Sequence, residues 1–262
     1  MSTLHCTLIQ TNLHWENKEA NLAMLEEKIL SIKEQTQIVI LPEMFNTGFS
    51  MKPSQFAETL DGPAIEWMKK IAATKKIILT GSLMIKENEQ FFNRLIWMLP
   101  NGSYGMYDKR HLFAYGNEDE FYTAGNKRLI ASVNGWKINL QVCYDLRFPV
   151  WARQQSTTEP EYDLLIYVAN WPQRRIHAWK TLLQARAIEN QCYVIGVNRV
   201  GNDGNNIYHT GDSMIVNAMG EILYAKKDEE DIFTIALEKE TLEQIRNKFP
   251  FWKDADSFTI LP

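Results

Sequence analysis

The sequence predicts an α/β protein in which sheets are layered against helices. Short β-like runs alternate with amphipathic helical segments from one end to the other. Helices cluster after the early and middle strands, as parallel pairing requires. Tight turns such as Asn217 to Glu221 call for antiparallel pairing too, so the sheets must be mixed. No composition shift, Pro/Ser-rich linker, low-complexity tract or internal repeat divides the chain, and residues 1–262 are expected to form a single domain.

In order, LHCTLIQ (Leu4 to Gln10) reads as a strand. NKEANLAMLEEKILSIKEQ follows, with Leu22, Leu25, Ile29 and Ile32 at helical spacing beside Glu and Lys. QIVILPEMF is an apolar strand that Pro42 turns into a loop. DGPAIEWMKKIAATKK has a helix-start Asp-Gly-Pro and sets Ile65, Met68, Ile71 and Ala72 on one face. IILTGSLMI and QFFNRLIWMLP are consecutive strands, and Asn101-Gly102 turns the chain into SYGMYDK. RLIASVNGWKINLQVCYD is a strand pair hinged at Asn134-Gly135, and YDLLIYVANW is a buried strand. RRIHAWKTLLQARAIENQ is a long helix, with Ile176, Trp179, Leu182, Leu183 and Ile188 expected on one side. CYVIGVNRVG, TGDSMIVNAMGEILYA and DIFTIALE are later strands, and KETLEQIRNKF is a last helix.

Composition narrows the function classes. A net charge of -4 over 262 residues gives no electrostatic footprint for nucleic acid or an anionic membrane. No stretch approaches the roughly 20 apolar residues that cross a bilayer. The N-terminus lacks a basic segment followed by an apolar core, so no signal peptide is expected. Cys6, Cys143 and Cys192 are odd in number and contain no C-x-x-C pair, which argues for free thiols in a reducing compartment, the cytoplasm. His5, His14, His111, His177 and His209 have no ligand spacing with cysteine, so no metal and no cofactor are expected.

Three strand ends carry candidate chemistry. In NLQVCYDLRFP an apolar run delivers Cys143 to Tyr144–Asp145, and Asp145 and Pro149 are helix-start signals. Cys143 is either a small buried apolar residue or a nucleophile at a strand-to-helix turn. In the second reading the helix's positive end lowers the thiol's pKa, and the Tyr144 N–H is free for an oxyanion. In IVILPEMF, Glu43 follows Pro42 between apolar neighbours. It is either a solvated loop glutamate or a poorly solvated general base. In YDKRHLF, Lys109 is either half of a surface Lys-Arg pair or a cation that holds an oxyanion, as metal-free amide hydrolysis requires. His111 is an alternative base for a Cys–His pair. The following GNEDEF, with Glu118, Asp119 and Glu120, reads by default as a solvated acidic turn.

Taken together, LPEMF, YDKRHLF and VCYDLRFP, in this order, resemble the three short motifs of the nitrilase (carbon–nitrogen hydrolase) superfamily. CYDLRFPVWARQ is similar to the C-Y-D-x-R-F-P form of its amidase branches rather than the C-W-E-N form of true nitrilases. ANWPQRRIHAWKTLLQARAIENQCYVIGVNRVG and GDSMIVNAMGEIL extend the likeness over almost the whole chain, and FPFWKDADSF looks like a subset of bacterial omega-amidases. The resemblance implies a four-layer αββα sandwich and a homodimer formed through helices on one face. It implies Glu43 as general base, Lys109 with the Tyr144 N–H as oxyanion donors, and Cys143 as the residue that forms a thioester. It also implies a second glutamate after the lysine, for which Glu118 is the best match and Glu120 the alternative.

The implied substrate is a small amide, an α-keto acid monoamide such as 2-oxoglutaramate. N-carbamoyl amines, deaminated glutathione and nitriles are the other options, and a binding module built on the same sandwich is the reading from a different class. A distal carboxylate needs cations, for which Arg147, Arg174 and Arg175 are candidates. Arg147 has the competing duty of an ion pair with Asp145 that steadies the turn. Asn170 and Trp171 follow a strand end and could line the pocket, with Phe113, Tyr115 and Tyr144 as apolar walls. His177 near the start of the long helix is expected to pack or hydrogen-bond.

Overall fold

In the computed structural model, which describes residues 2–156 and 158–260, two mixed sheets lie face to face between helices. The first half contributes β1 (Thr3–Gln10), α1 (Lys18–Ser31), β2 (Ile38–Ile40), α2 (Pro53–Phe56), α3 (Pro63–Lys75), β3 (Ile78–Glu87), β4 (Gln90–Met98), β5 (Tyr104–Asp108) and α4 (Glu118–Phe121). The second contributes β6 (Leu129–Val133), β7 (Trp136–Val142), α5 (Pro149–Ala152), β8 (Leu164–Ala169), α6 (Ile176–Asn190), β9 (Tyr193–Asn198), β10 (Val200–Asn202), β11 (Tyr208–Val216), β12 (Ile222–Lys227), β13 (Asp231–Glu238) and α7 (Lys239–Lys248).

One sheet runs β13-β1-β2-β3-β4-β5, and the other β10-β11-β9-β8-β7-β6 with β12 beside β11. β1, β2 and β3 are parallel neighbours, as are β7, β8 and β9, while the hairpins add antiparallel partners. The inner faces share one core: Leu8, Ile40, Leu95 and Tyr107 from the first sheet meet Ile138, Leu140, Val142 and Ile166 from the second. Burying each such aliphatic side chain contributes about 1.5–3 kcal/mol. α1 and α3 cover the outside of the first sheet through Leu25, Ile29, Ile65, Met68 and Ile71. α6 and α7 pack on the second through Trp179, Leu183 and Leu242. The expected αββα layering is therefore present.

Three local expectations need correction. The first helix ends at Ser31 rather than continuing through KEQ, because Ile32 turns into an extended conformation and buries its side chain. Ile188 is exposed rather than packed with the rest of α6. It lies nine residues from Trp179, two and a half turns at 3.6 residues per turn, so it faces the opposite side. Arg186 and Asn190 take the buried positions instead. No long helix begins after Cys143: residues Cys143–Arg147 form a 3-10 turn, and the four-residue α5 starts only at Pro149.

The fold matters to function through its strand ends. The carboxyl ends of β2 and β5 from one sheet, and of β7, β8 and β9 from the other, bring Glu43, Lys109, Cys143, Asn170 and Asn198 to one side of the sandwich. Ligands in α/β sheets bind at such ends.

Candidate active site

Pro42 ends the β2 ladder, and the next residues fold back onto β3. Met44 N donates to Ser82 Oγ at 2.9 Å and Phe45 N to the Ser82 carbonyl at 3.1 Å. This close approach requires a glycine in β3: a Cβ on Gly81 would meet Phe45 at 2.7 Å and Leu41 at 2.9 Å. The loop leaves Glu43 completely buried, but among donors rather than apolar side chains alone. Its Oε1 accepts from Lys109 Nζ at 2.9 Å and Asn93 Nδ2 at 2.8 Å, and its Oε2 accepts from Asn170 N at 2.9 Å. Asn170 Nδ2 holds the Glu43 carbonyl at 2.5 Å.

Lys109 follows β5 and is buried, so the surface Lys-Arg pair is ruled out. Its Nζ donates to Glu118 at 2.8 and 3.0 Å as well as to Glu43, and stands 5.1 Å from the centre of the Phe49 ring. Burial opposes its charge, but Glu118 and Glu43 outweigh that cost and hold the ammonium above the usual lysine range. Glu118 is likewise completely buried, in contrast to the solvated acidic turn expected by default, whereas Asp119 and Glu120 are exposed. The short α4 turns only Glu118 inward, and Phe113 N donates to its Oε2 at 2.7 Å. Burial raises the Glu118 pKa and the charge of Glu43 adds to it, against the pull of Lys109.

Cys143 occupies a left-handed backbone conformation, φ +45°, at the junction of β7 and the 3-10 turn. That conformation is uncommon outside glycine and turns the side chain off the strand sharply, as in a nucleophile elbow. The first N–H groups of such a turn have no partner within it, and Tyr144 N is one of them. The thiol's pKa is raised, not lowered as expected: burial dominates, the Glu43 charge adds to it, and Lys109 only partly opposes. The expectation weighed the positive end of the turn but not the burial of the thiol or the charge of Glu43 beside it.

Asp145 braces the elbow. Its Oδ2 accepts from Val142 N at 3.0 Å and Tyr107 Oη at 2.7 Å, and its Oδ1 accepts from His111 N at 2.9 Å. His111 Nδ1 lies 2.8 Å from the same Oδ1, and its ring stacks on Phe148 at 3.8 Å. His111 is therefore a brace and not the base of a Cys–His pair. Asp145 being thus engaged, the competing ion pair with Arg147 is absent; the Arg147 guanidinium lies over Trp171, 5.0 Å from the ring centre.

Glu43, Lys109 and Cys143 form the floor of a cavity of about 660 Å³. Phe113, Tyr144 and Trp171 wall it, and Tyr115 stands at the mouth, largely exposed rather than an apolar wall. Asn170, Arg147, Arg174 and Arg175 also line it, with Arg175 placed 4.7 Å over the Phe113 ring. His177 is exposed and outside the lining, so it neither packs nor joins the site. The sequence reading missed Phe49, Met51, Asp203, Asn205 and His209 in the lining, and Asn93 and Asn198 beneath it. For Asn93 and Asn198 a signal existed: each is a lone amide in an apolar strand, FFNRL and VIGVNRV. Asn198 Oδ1 accepts from Trp171 N at 2.7 Å and so sets that wall. Among the described residues, no three His, Cys, Asp or Glu side chains are grouped to ligate a metal ion, and no helix is long and apolar enough to cross a membrane. A thiol, a carboxylate and an ammonium on one buried floor suit nucleophilic attack on a carbonyl carbon.

Comparison with known proteins agrees with this geometry. The Carbon-nitrogen hydrolase family model matches residues 6–247. The chain is 42% identical over 262 residues to Omega-amidase YafV of Yersinia enterocolitica, covering 100% of both proteins. It is 29% identical over 255 residues to 2-oxoglutaramate amidase of Bacillus subtilis (strain 168), covering 96% of each. The crystal structure of a CN-hydrolase superfamily protein from Xanthomonas campestris superposes with a TM-score of 0.96 at 41% identity, covering 99% of this chain and 100% of that one.

Proposed function

The chain belongs to the carbon–nitrogen hydrolase family of the nitrilase superfamily, and we propose that it is an omega-amidase that releases ammonia from 2-oxoglutaramate or a similar α-keto acid monoamide. That it is an amide-hydrolysing enzyme follows from the family and from its relatives. One observation carries the finer reading. A floor of Cys143, Glu43 and Lys109 opens to a mouth bearing Arg147, Arg174 and Arg175, none of which has a carboxylate partner within 4.0 Å among the described residues. Such a mouth suits an amide that carries a carboxylate at its far end.

In this mechanism the thiol is neutral at rest, so a base is needed. Glu43 takes the Cys143 proton as sulfur attacks the amide carbon. The carbonyl oxygen becomes an oxyanion held by Lys109 Nζ and the Tyr144 N–H. Collapse breaks the C–N bond; the proton held by Glu43 passes to nitrogen, and ammonia leaves a thioester on Cys143. Water, deprotonated by Glu43, then attacks the thioester, and the acid leaves as the thiol regains its proton. Glu118 keeps Lys109 charged and in place. Phe113, Tyr144, Trp171 and Asn170 shape the acyl pocket, and Arg147 and Arg174 bind the distal carboxylate. No cofactor is required. The same reading makes the enzyme a cytoplasmic homodimer: its cysteines are free thiols, and Ile188 and Met219 leave apolar side chains exposed along α6 and the neighbouring turn.

An ammonia-release screen across ω-amides of keto acids, N-carbamoyl amines, deaminated glutathione and nitriles tests this. Ammonia without CO2 from 2-oxoglutaramate is expected. Cys143→Ala should lower turnover by about 10⁴-fold or more while its circular dichroism is unchanged. Turnover confined to N-carbamoyl amines or deaminated glutathione, or flat results throughout, would refute the omega-amidase reading.

A further inference from the structure

On the floor of the site, Lys109 has no hydrogen to spare. An ammonium has three N–H donors, and its three contacts, 2.9 Å to Glu43 Oε1 and 3.0 and 2.8 Å to Glu118 Oε1 and Oε2, account for all of them. To hold an oxyanion it must release one of these bonds. Releasing it would strand a buried carboxylate oxygen, which costs more than an ordinary hydrogen bond returns.

Asn93, in the middle of β4, meets this problem. Its Nδ2 donates to Glu43 Oε1 at 2.8 Å and to Glu118 Oε1 at 3.0 Å, two of the three oxygens that Lys109 holds. The third, Glu118 Oε2, has Phe113 N at 2.7 Å. Each oxygen therefore has a second donor already in place. Asn93 also fixes the lysine itself, since its carbonyl accepts from Lys109 N at 3.0 Å. Its Oδ1 is buried with no hydrogen-bond partner, an unmet cost that a side chain serving only packing would not need.

We propose that Asn93 is a positioning residue that keeps Glu43 and Glu118 hydrogen-bonded while Lys109 turns to the oxyanion. Being neutral, it does so without adding a second cation to the floor. The charged and titratable groups around the pair are Lys109, Cys143 and Tyr122. The proposal rests on the cysteine-amidase reading but not on the identity of the substrate.

Two reactions of Cys143 separate this role from a merely structural one. Acylation by a p-nitrophenyl ester passes through a tetrahedral oxyanion; alkylation by iodoacetamide does not. Asn93→Ala should slow acylation, followed by mass spectrometry, by about 10- to 100-fold, the worth of a hydrogen bond to a charged group. Its alkylation rate should stay within about 3-fold of the parent, the resting contacts of Glu43 with Lys109 and Asn170 being intact. Asn93→Ser, which retains a hydroxyl donor, should recover part of the loss. Asn93→Asp, which replaces donor by acceptor at the same volume, should be the slowest of the three. Equal slowing of both reactions in Asn93→Ala and Asn93→Ser, or slowing of neither, overturns the proposal. A parent enzyme that is acylated but hydrolyses no ω-amide refutes the substrate and leaves Asn93 standing. One that is alkylated but never acylated refutes both.

Discussion

The floor and the mouth of the cavity are both charged, yet they are built on opposite principles. On the floor, Glu43, Glu118 and Lys109 are buried and held by direct bonds of 2.7–3.0 Å from Asn93, Asn170 and Phe113. At the mouth, three guanidiniums crowd together without carboxylate partners, and Arg175 loses proton affinity to burial and to repulsion by Arg147 and Arg174. The floor is preorganised by bonds within the protein; the mouth keeps cations that the protein leaves unpaired, which in the proposed function a substrate carboxylate would meet. If the proposed function holds, the contrast teaches that chemistry rests on the protein's own internal bonding and selectivity on what that bonding leaves unmet.

The contrast breaks most strongly at Lys109. Lys109→Met leaves two buried carboxylates facing each other and should cost about 3–5 kcal/mol in urea unfolding. Lys109→Met/Glu118→Gln should restore part of it, since Asn93 and Asn170 still serve Glu43. A single variant as stable as the parent would show that the floor is not the tight unit described.

The next effect belongs to the wall beneath the mouth. His209 is buried in the cavity lining; burial first, and then the charge of Arg199, depress its pKa from 6.5 to about 4. The unfolded chain binds this proton more readily than the fold does, so stability falls as pH drops from 6.5 to 4 and is level above that window. The shift corresponds to about 3 kcal/mol. His209→Asn should lose about that much less than the parent between pH 7 and pH 4 in paired unfolding curves. Parallel curves would mean that His209 titrates normally.

The smallest effect sharpens the mouth itself. Arg147→Gln should raise KM for a carboxylate-bearing ω-amide by about 10- to 100-fold, with kcat within a few-fold of the parent. For a neutral amide of equal length KM should be unchanged. An equal rise for both would make Arg147 a wall through its packing on Trp171 rather than a reader of charge.

How much of this was legible in sequence divides along the same line. Glu43, Lys109 and Cys143 each stand at a strand end, where position left two readings open for every one of them; it was the resemblance of their three motifs, in order, that singled them out. The layers followed from alternating periods of apolar residues. Glu118 was separable from Glu120 only by the turn of a four-residue helix, which no pattern encodes. Asn93 is marked in the sequence only as a lone amide in an apolar strand; its role was not legible because its partners lie 25 and 50 residues away. At the elbow, one alternative reading failed for the same reason. Asp145 does cap the turn locally through Val142 N, but its remaining bonds go to Tyr107 and His111, 38 and 34 residues upstream, rather than to Arg147. Contacts made across the fold thus displaced the ion pair considered between neighbours in the chain, while the local cap remained.

The site also straddles the seam of the sandwich. Glu43 and Lys109 come from one sheet; Cys143 and Asn170 come from the other, and the bonds from Asn170 N to Glu43 and from Tyr107 to Asp145 cross between them. Neither half of the molecule carries a complete set of reacting groups. Under the proposed mechanism, catalysis would gauge how far apart the two sheets stand, and a substitution deep in the shared core would act on rate by moving Glu43 and Cys143 relative to one another. The hydrophobic interior would then be part of the alignment of the reaction, since a displacement of about 1 Å between reacting groups can cost about 10²-fold in rate.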